Sequence, residues 1–171
     1  AIYLAISSQS PFRFSADIRR ASNLNALDEV EPAIALLNGM AVEFAATPQP
    51  LITLGDLLRR HERWDEAISS YTQAIKRVGA PTRRHWRMLY SRGIVLKRAK
   101  RWPEAENDFL RALEFEPDQP YVLNYLGYSW IDQGVHLKRA LDMIHNAVRH
   151  RPNDGYIIDS LGWVYYRLGN Y

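Results

Sequence analysis

Residues 86–117, WRMLYSRGIVLKRAKRWPEAENDFLRALEFEP, decide the fold: two apolar patterns of helical period lie back to back with a short hinge between them. Leu89 and Leu96 mark the first pattern, and Phe109, Ala112 and Leu113 mark the second, at the three- and four-residue spacing of one helix face. Gly93 and Ala105, one in each pattern and twelve residues apart, are small enough to let the two helices approach closely as an antiparallel pair. Pro117 lacks the backbone N–H that the second helix needs to continue.

Moving outward, the same unit recurs along the chain. The small residue of the first helix returns as Ala21, Gly55, Gly93, Gly127 and Gly162, at offsets of 34, 38, 34 and 35. That of the second helix returns as Ala33, Ala67, Ala105 and Ala140, each preceded by three residues by a large apolar side chain, Val30, Trp64, Trp102 or Leu137, with Tyr171 next in the series. In this register the chain reads as one array over 1–171. Residues 1–13 end a preceding repeat with Tyr3 on its second helix, 14–47, 48–85, 86–119 and 120–154 are repeats, and 155–171 is the first helix of a truncated one. About four extra residues around Gly79–His85 predict a lengthened following helix, with Thr82 as N-cap. The chain starts inside a repeat, without Met or leader, and so reads as processed or as a piece of something longer.

Composition sets wide bounds. The 171 residues are 47% hydrophobic and 24% charged with a net charge of +3, ordinary for a folded chain. No apolar run approaches the ~20 residues needed to span a bilayer. The absence of Cys excludes disulfides and thiolate zinc sites.

The pattern resembles the tetratricopeptide repeat family. Its marks here are Leu123, Leu126, Gly127 and Trp130 followed by Ala140, Ile144, Ala147 and Pro152, and Leu89, Gly93, Leu96, Ala105, Phe109, Ala112 and Pro117 in the opening stretch. Arg92 departs from the pattern where Leu is usual, and Ala21 where Gly is usual. The resemblance implies an all-α, right-handed solenoid of about ten helices including partial ones, which binds other proteins and carries neither catalytic residues nor a cofactor. The segments NYLGYSWIDQG and PNDGYIIDSLGWVYYRLGNY also resemble a bacterial subgroup that includes envelope-associated lipoproteins, some of them adaptors for periplasmic processing proteases.

In such a solenoid the first helices line a concave groove. The groove-facing positions in the last two repeats are Tyr121, Asn124, Tyr128 and Ile131, then Tyr156, Asp159, Trp163 and Tyr166, with Tyr125 beside them. Leu123, Leu126, Ile158 and Leu161 serve the inner contacts, so these rings either recognise a partner or pack on neighbouring repeats. Asn124 either pairs with a ligand backbone amide or bonds to a neighbouring side chain.

Charge is uneven as well. Lys76–Arg101 holds ten Lys and Arg and no acid, so it carries +10 against −7 for the remainder. Through Arg87, Lys97 and Arg98, with Tyr90 beside them, this stripe either attracts an acidic partner or is a solvated face balanced by Glu104, Glu106 and other acids. Nucleic acid is disfavoured, because no aromatics for base stacking interleave the stripe. The family's clamp for a C-terminal carboxylate is not reproduced: Ile52 with Asp56, and Tyr90 with Ile94, stand where it would begin. Of His61, His85, His136, His145 and His150, no two share the i, i+4 spacing of a helical metal site. The remaining alternative is a structural module that self-associates through its repeat ends.

Overall fold

The computed structural model describes residues 10–169; the register marks at Tyr3 and Tyr171 lie outside them. Among the described residues the regular structure is helical throughout: α1 (Arg13–Ala26), α2 (Val30–Glu43), α3 (Gln49–Arg60), α4 (Trp64–Val78), α5 (Trp86–Arg98), α6 (Trp102–Phe115), α7 (Pro120–Gln133), α8 (Leu137–His150) and α9 (Gly155–Arg167). Among the described residues, 10–81 together with Ile94–Trp102 form one compact unit, and Thr82–Gly93 together with 103–169 form a second.

Three-residue hinges turn α1 into α2, α3 into α4, α5 into α6 and α7 into α8. α1, α3, α5 and α7 end in the same way, with an N–H just past the helix returning to the carbonyl five residues before it, in the last turn: Glu29 to Leu24, Arg63 to Leu58, Arg101 to Leu96 and Val135 to Trp130. That closure needs a left-handed residue. Gly134 supplies it after α7, whereas Asp28, Glu62 and Lys100 adopt φ of 63°, 58° and 62° after α1, α3 and α5.

In the first unit α1 packs on α2, α2 on α3 and α3 on α4. Its core holds Ala21, Ala33, Leu37, Leu54, Leu58, Ala67 and Tyr71, all nearly or fully buried. A Cβ on Gly55 would lie 2.8 Å from the Tyr71 ring, which is why α3 carries no side chain there. The Tyr71 hydroxyl donates to Asp56 at 2.7 Å, and burial, then the Asp56 charge, pushes this phenol well above its ordinary range.

The second unit repeats the device. Gly93 meets the Phe109 ring, Gly127 meets the Ala140 carbonyl and the Ile144 side chain, and Ala105, Phe109, Leu126, Ala140 and Ile144 are fully buried. Burying one such large side chain is worth about 1.5–3 kcal/mol. α7 packs on α8, and α9 contacts both. Arg92, the departure from the apolar pattern, makes a bidentate pair with Asp108 at 2.6 and 2.7 Å, and the Asp108 side chain is 1% exposed. The extra residues before α5 form a 3₁₀ turn, Arg83–His85, rather than added α-helix. Thr82 is extended there, and its N–H donates to His85 Nδ1 at 2.9 Å.

Candidate functional site

The last two first helices, α7 and α9, are each well started. Gln119 caps α7 by accepting from the N–H groups of Tyr121 and Val122 ahead of Pro120, and Asp154 caps α9 by accepting from Tyr156 and Ile157. The Tyr121 hydroxyl donates to the same Asp154 at 3.1 Å, tying the two helix starts together.

From that base, α9 presents Asp159, Gly162, Trp163 and Tyr166 at i, i+3, i+4 and i+7, one face of a helix. With Tyr128 of α7 they line an open cleft of about 550 Å³. Trp163 and Tyr166 stack at 5.5 Å with 27° between their planes. Trp163 is 36% exposed, and Tyr156 and Tyr166 are each 57% exposed. Nothing described lies within 4 Å of a Cβ built on Gly162, unlike its counterparts Gly55, Gly93 and Gly127. Arg167 lies 5.7 Å from the Trp163 ring centre and reaches Asp132 at 3.4 Å.

The expected groove residues divide into three groups. Tyr128, Asp159, Trp163 and Tyr166 converge on the cleft, and Tyr156 is exposed on the same helix. Tyr121 and Tyr125 are half-buried: Arg151 covers the Tyr121 ring, and Tyr125 packs edge-on against Tyr90 at 6.2 Å and against Phe109 at 5.3 Å. Asn124 and Ile131, read as groove-facing, lie instead in the interior, at 0% and 1% exposure. For Asn124 the reason is the packing of α9 on α7: its Nδ2 donates to buried Ser160 Oγ, and its Oδ1 has no partner among the described residues. Ile158, assigned to inner packing, is 45% exposed.

The basic stripe is partly neutralised. Arg83 is bidentate to Glu116, which holds that carboxyl below its usual range, and Arg92 is spent on Asp108. Arg87 lies over the Trp86 ring at 5.5 Å, and Arg98 is exposed. Lys97 and Arg98 belong to the first unit, Arg87 and Tyr90 to the second. Glu106 has a role the residue pattern did not announce, accepting from the Trp130 indole N–H. Among the described residues no three His, Asp or Glu side chains cluster as metal ligands, and no helix is long and apolar enough to cross a membrane.

Comparison with known proteins places this geometry in a family context. Residues 52–134 match the tetratricopeptide repeat family model. A curated TPR repeat-containing protein of Pseudomonas aeruginosa is 33% identical over 82 residues, 48% of this chain and 14% of the relative, so the chain spans about one seventh of that relative's length. Among solved structures, MamA from Desulfovibrio magneticus RS-1 superposes with a TM-score of 0.77 at 18% identity, covering 92% of this chain and 86% of that one. YrrB, characterised as a TPR protein with an unusual peptide-binding site, superposes with a TM-score of 0.70 at 19% identity, covering 91% and 77%. The structural likenesses bear on fold alone. Residues 52–134 therefore match the tetratricopeptide repeat family, and the paired helices share the fold of these solved structures.

Proposed function

We propose that this tetratricopeptide repeat chain is a non-catalytic scaffold or adaptor that holds a partner protein, through a peptide segment, against the aromatic face of α7 and α9. The fold is consistent with a protein-interaction scaffold, and proteins of this family are generally not enzymes. The observation that carries the reading is the cleft itself: Tyr128, Trp163 and Tyr166 with Asp159 around an open space of about 550 Å³, with aromatic surface that helix stacking leaves exposed. Large rings with polar tips are the residues that dominate binding energy at protein interfaces. The likeness to YrrB, itself described as having a peptide-binding site, supports a peptide as the class of ligand.

In this reading residues 1–171 form a single array with the repeat boundaries set out above, and Arg87, Lys97 and Arg98 attract an acidic stretch of the partner electrostatically. The resemblance to envelope-associated lipoproteins extends the proposal to an exported bacterial scaffold. Hydrogen exchange of the chain alone and with its captured partner tests the assignment. Protection over residues 121–131 and 156–167 is the expected footprint; protection confined to α8 contradicts it.

The self-associating alternative draws on the same exposed face of α9, where Ile158 and Tyr156 are uncovered. Sedimentation separates the two. A concentration-dependent dimer that dissolves when Leu161 and Leu168 are made polar favours self-association, and a monomer at all concentrations favours the adaptor.

A further inference from the structure

Within the first unit, α1 and α3 leave between them a crevice of about 240 Å³ over Leu37 of α2. Ala21, Leu37 and Leu57 are its buried apolar lining, with Ile18 beside them. Ser22 and Asn25 of α1 and Thr53, Asp56 and Arg60 of α3 supply its polar groups.

The corresponding place between α7 and α9 is taken up by side chains. Ile18, Ser22 and Asn25 stand three before, one after and four after Ala21, as Asn124, Tyr128 and Ile131 stand about Gly127. Thr53 precedes Gly55 by two residues, as Ser160 precedes Gly162. In the second unit Asn124 and Ser160 bond to one another in the interior, and Ile131 is buried. In the first unit Ile18 cannot make that bond, and the Thr53 hydroxyl turns back to the Gln49 carbonyl at 3.0 Å. Ser22 and Asn25 are also smaller and more polar than a ring and a branched apolar chain. The crevice therefore follows from the residues that α1 carries, between two helices that are both present, and not from a missing neighbour.

Its polar groups are only partly engaged among the described residues. Asn25 Oδ1 meets His61 Nε2 at 2.7 Å, which leaves both Nδ2 hydrogens. Asp56 Oδ1 accepts from the Tyr71 hydroxyl at 2.7 Å, which leaves Oδ2. The Ser22 hydroxyl donates to the Ile18 carbonyl at 3.1 Å and keeps its capacity to accept. Arg60 is exposed and has no hydrogen-bond or ion-pair partner among the described residues. An amide and a guanidinium thus stand as donors against a carboxylate oxygen and a hydroxyl as acceptors, and the two formal charges cancel.

That set discriminates among ligand side chains. A carboxylate would suit Arg60 and Asn25 but meet Asp56 with like charge. An ammonium would suit Asp56 but meet Arg60 and leave the Asn25 N–H groups unpaired. An apolar side chain would strip water from all four groups without replacing their hydrogen bonds. A neutral primary carboxamide answers them together: its oxygen accepts from Arg60 and Asn25, and its two N–H groups donate to Asp56 and Ser22. A backbone peptide group, with one N–H, serves only one of those acceptors. The volume agrees, since about 240 Å³ falls below the ~300–1,000 Å³ of small-molecule pockets and suits a single side chain.

We infer that the crevice between α1 and α3 is a receptor for the primary carboxamide of a Gln or Asn side chain. The site lies in the first unit, and the inference goes beyond the aromatic-face reading of α7 and α9 without resting on it.

The test is a titration of the full 171-residue chain with the Nα-acetyl methylamides of glutamine, asparagine, glutamate, lysine and alanine, the last presenting backbone alone. The Asn25 side-chain amide resonances serve as the readout. A saturable shift is expected with glutamine or asparagine at a concentration about tenfold below that needed for any of the other three. The better of the two fixes the length of the side chain. Ser22→Tyr, which gives α1 the residue type that α7 has at Tyr128, is expected to abolish the shift with unchanged circular dichroism. Arg60→Ala, an exposed change, is expected to weaken the better carboxamide by about fivefold. Glutamate, lysine or alanine matching the better carboxamide overturns the inference, as does the lack of a saturable shift with either carboxamide. A folded Ser22→Tyr or Arg60→Ala variant that binds the better carboxamide as the parent chain does also overturns it. A failure here leaves a partner footprint over residues 121–131 and 156–167 unaffected, and absence of that footprint removes the adaptor reading without touching this crevice.

Discussion

Gly93 and Gly162 hold the same register position on different helices, and one added methyl is expected to act on them in opposite directions. At Gly93 the new Cβ would sit 2.6 Å from Phe109 Cε1, inside a fully buried ring contact. Overpacking of that kind costs about 1–3 kcal/mol, against about 0.5–1 kcal/mol gained by replacing a helical glycine, so Gly93→Ala is predicted to destabilise by about 1–2 kcal/mol in urea denaturation. At Gly162 nothing described lies within 4 Å, and Gly162→Ala is predicted to stabilise by about 0.5–1 kcal/mol. Arg92 and Asp108 carry a second prediction. Arg92→Ala leaves the Asp108 carboxylate buried and uncompensated at an expected cost of about 3–5 kcal/mol, whereas Arg92→Leu with Asp108→Leu is expected to restore most of that stability. The series of small residues was legible in the sequence because it repeats. The Arg92–Asp108 pair was not, because a charge at an apolar position reads as an irregularity until its partner sixteen residues away is seen against it.

The elements show what periodicity can and cannot deliver. The helix pairs follow from apolar spacing, small contact residues and Pro stops, and both α7 and α9 begin where side chains take up free N–H groups. The hinges were read from the sequence but their left-handed backbone was not, because Asp28, Glu62 and Lys100 do not advertise it as Gly does. A non-glycine residue in that conformation costs about 1–2 kcal/mol, part of which glycine's greater unfolded-state freedom takes back; Lys100→Gly is therefore predicted to stabilise by about 0.5–1 kcal/mol, read from the thermal midpoint.

The turn before α5 carries a pH dependence. Burial, and then the charge of Arg84, hold the His85 imidazole below its usual 6.5, and its Nδ1 is needed as the acceptor for the Thr82 N–H. The unfolded chain therefore takes up this proton first. The contribution is present above the unfolded value and is lost as pH falls toward and through the folded one. The His85 ring titration by NMR is expected to have its midpoint below 6.5, with faster Thr82 amide exchange on the acidic side after correction for intrinsic rates. The inserted residues were visible in the sequence as a lengthened repeat. Their 3₁₀ form was not, because the Thr82–His85 contact closes over three residues only.

At the scale of the whole molecule, register alone indicated which helices carry exposed rings, and Tyr128, Asp159, Trp163 and Tyr166 come together as one cleft. It misplaced Asn124 and Ile131, which are buried; Asn124 is covered because α9 packs across it and sets Ser160 against it, and helical period holds no information about that packing. The register positions of the small residues are spent on contacts between helices, and exposed aromatic surface lies on α9 at Tyr156, Trp163 and Tyr166, the face to which the proposed function assigns the partner. The most direct test compares partner binding by the parent chain and by the double variant Tyr128→Ala, Trp163→Ala in isothermal titration calorimetry, with circular dichroism as the check on folding. The adaptor account predicts affinity weakened by at least about tenfold with helicity intact; undiminished affinity in a fully helical double variant would contradict it.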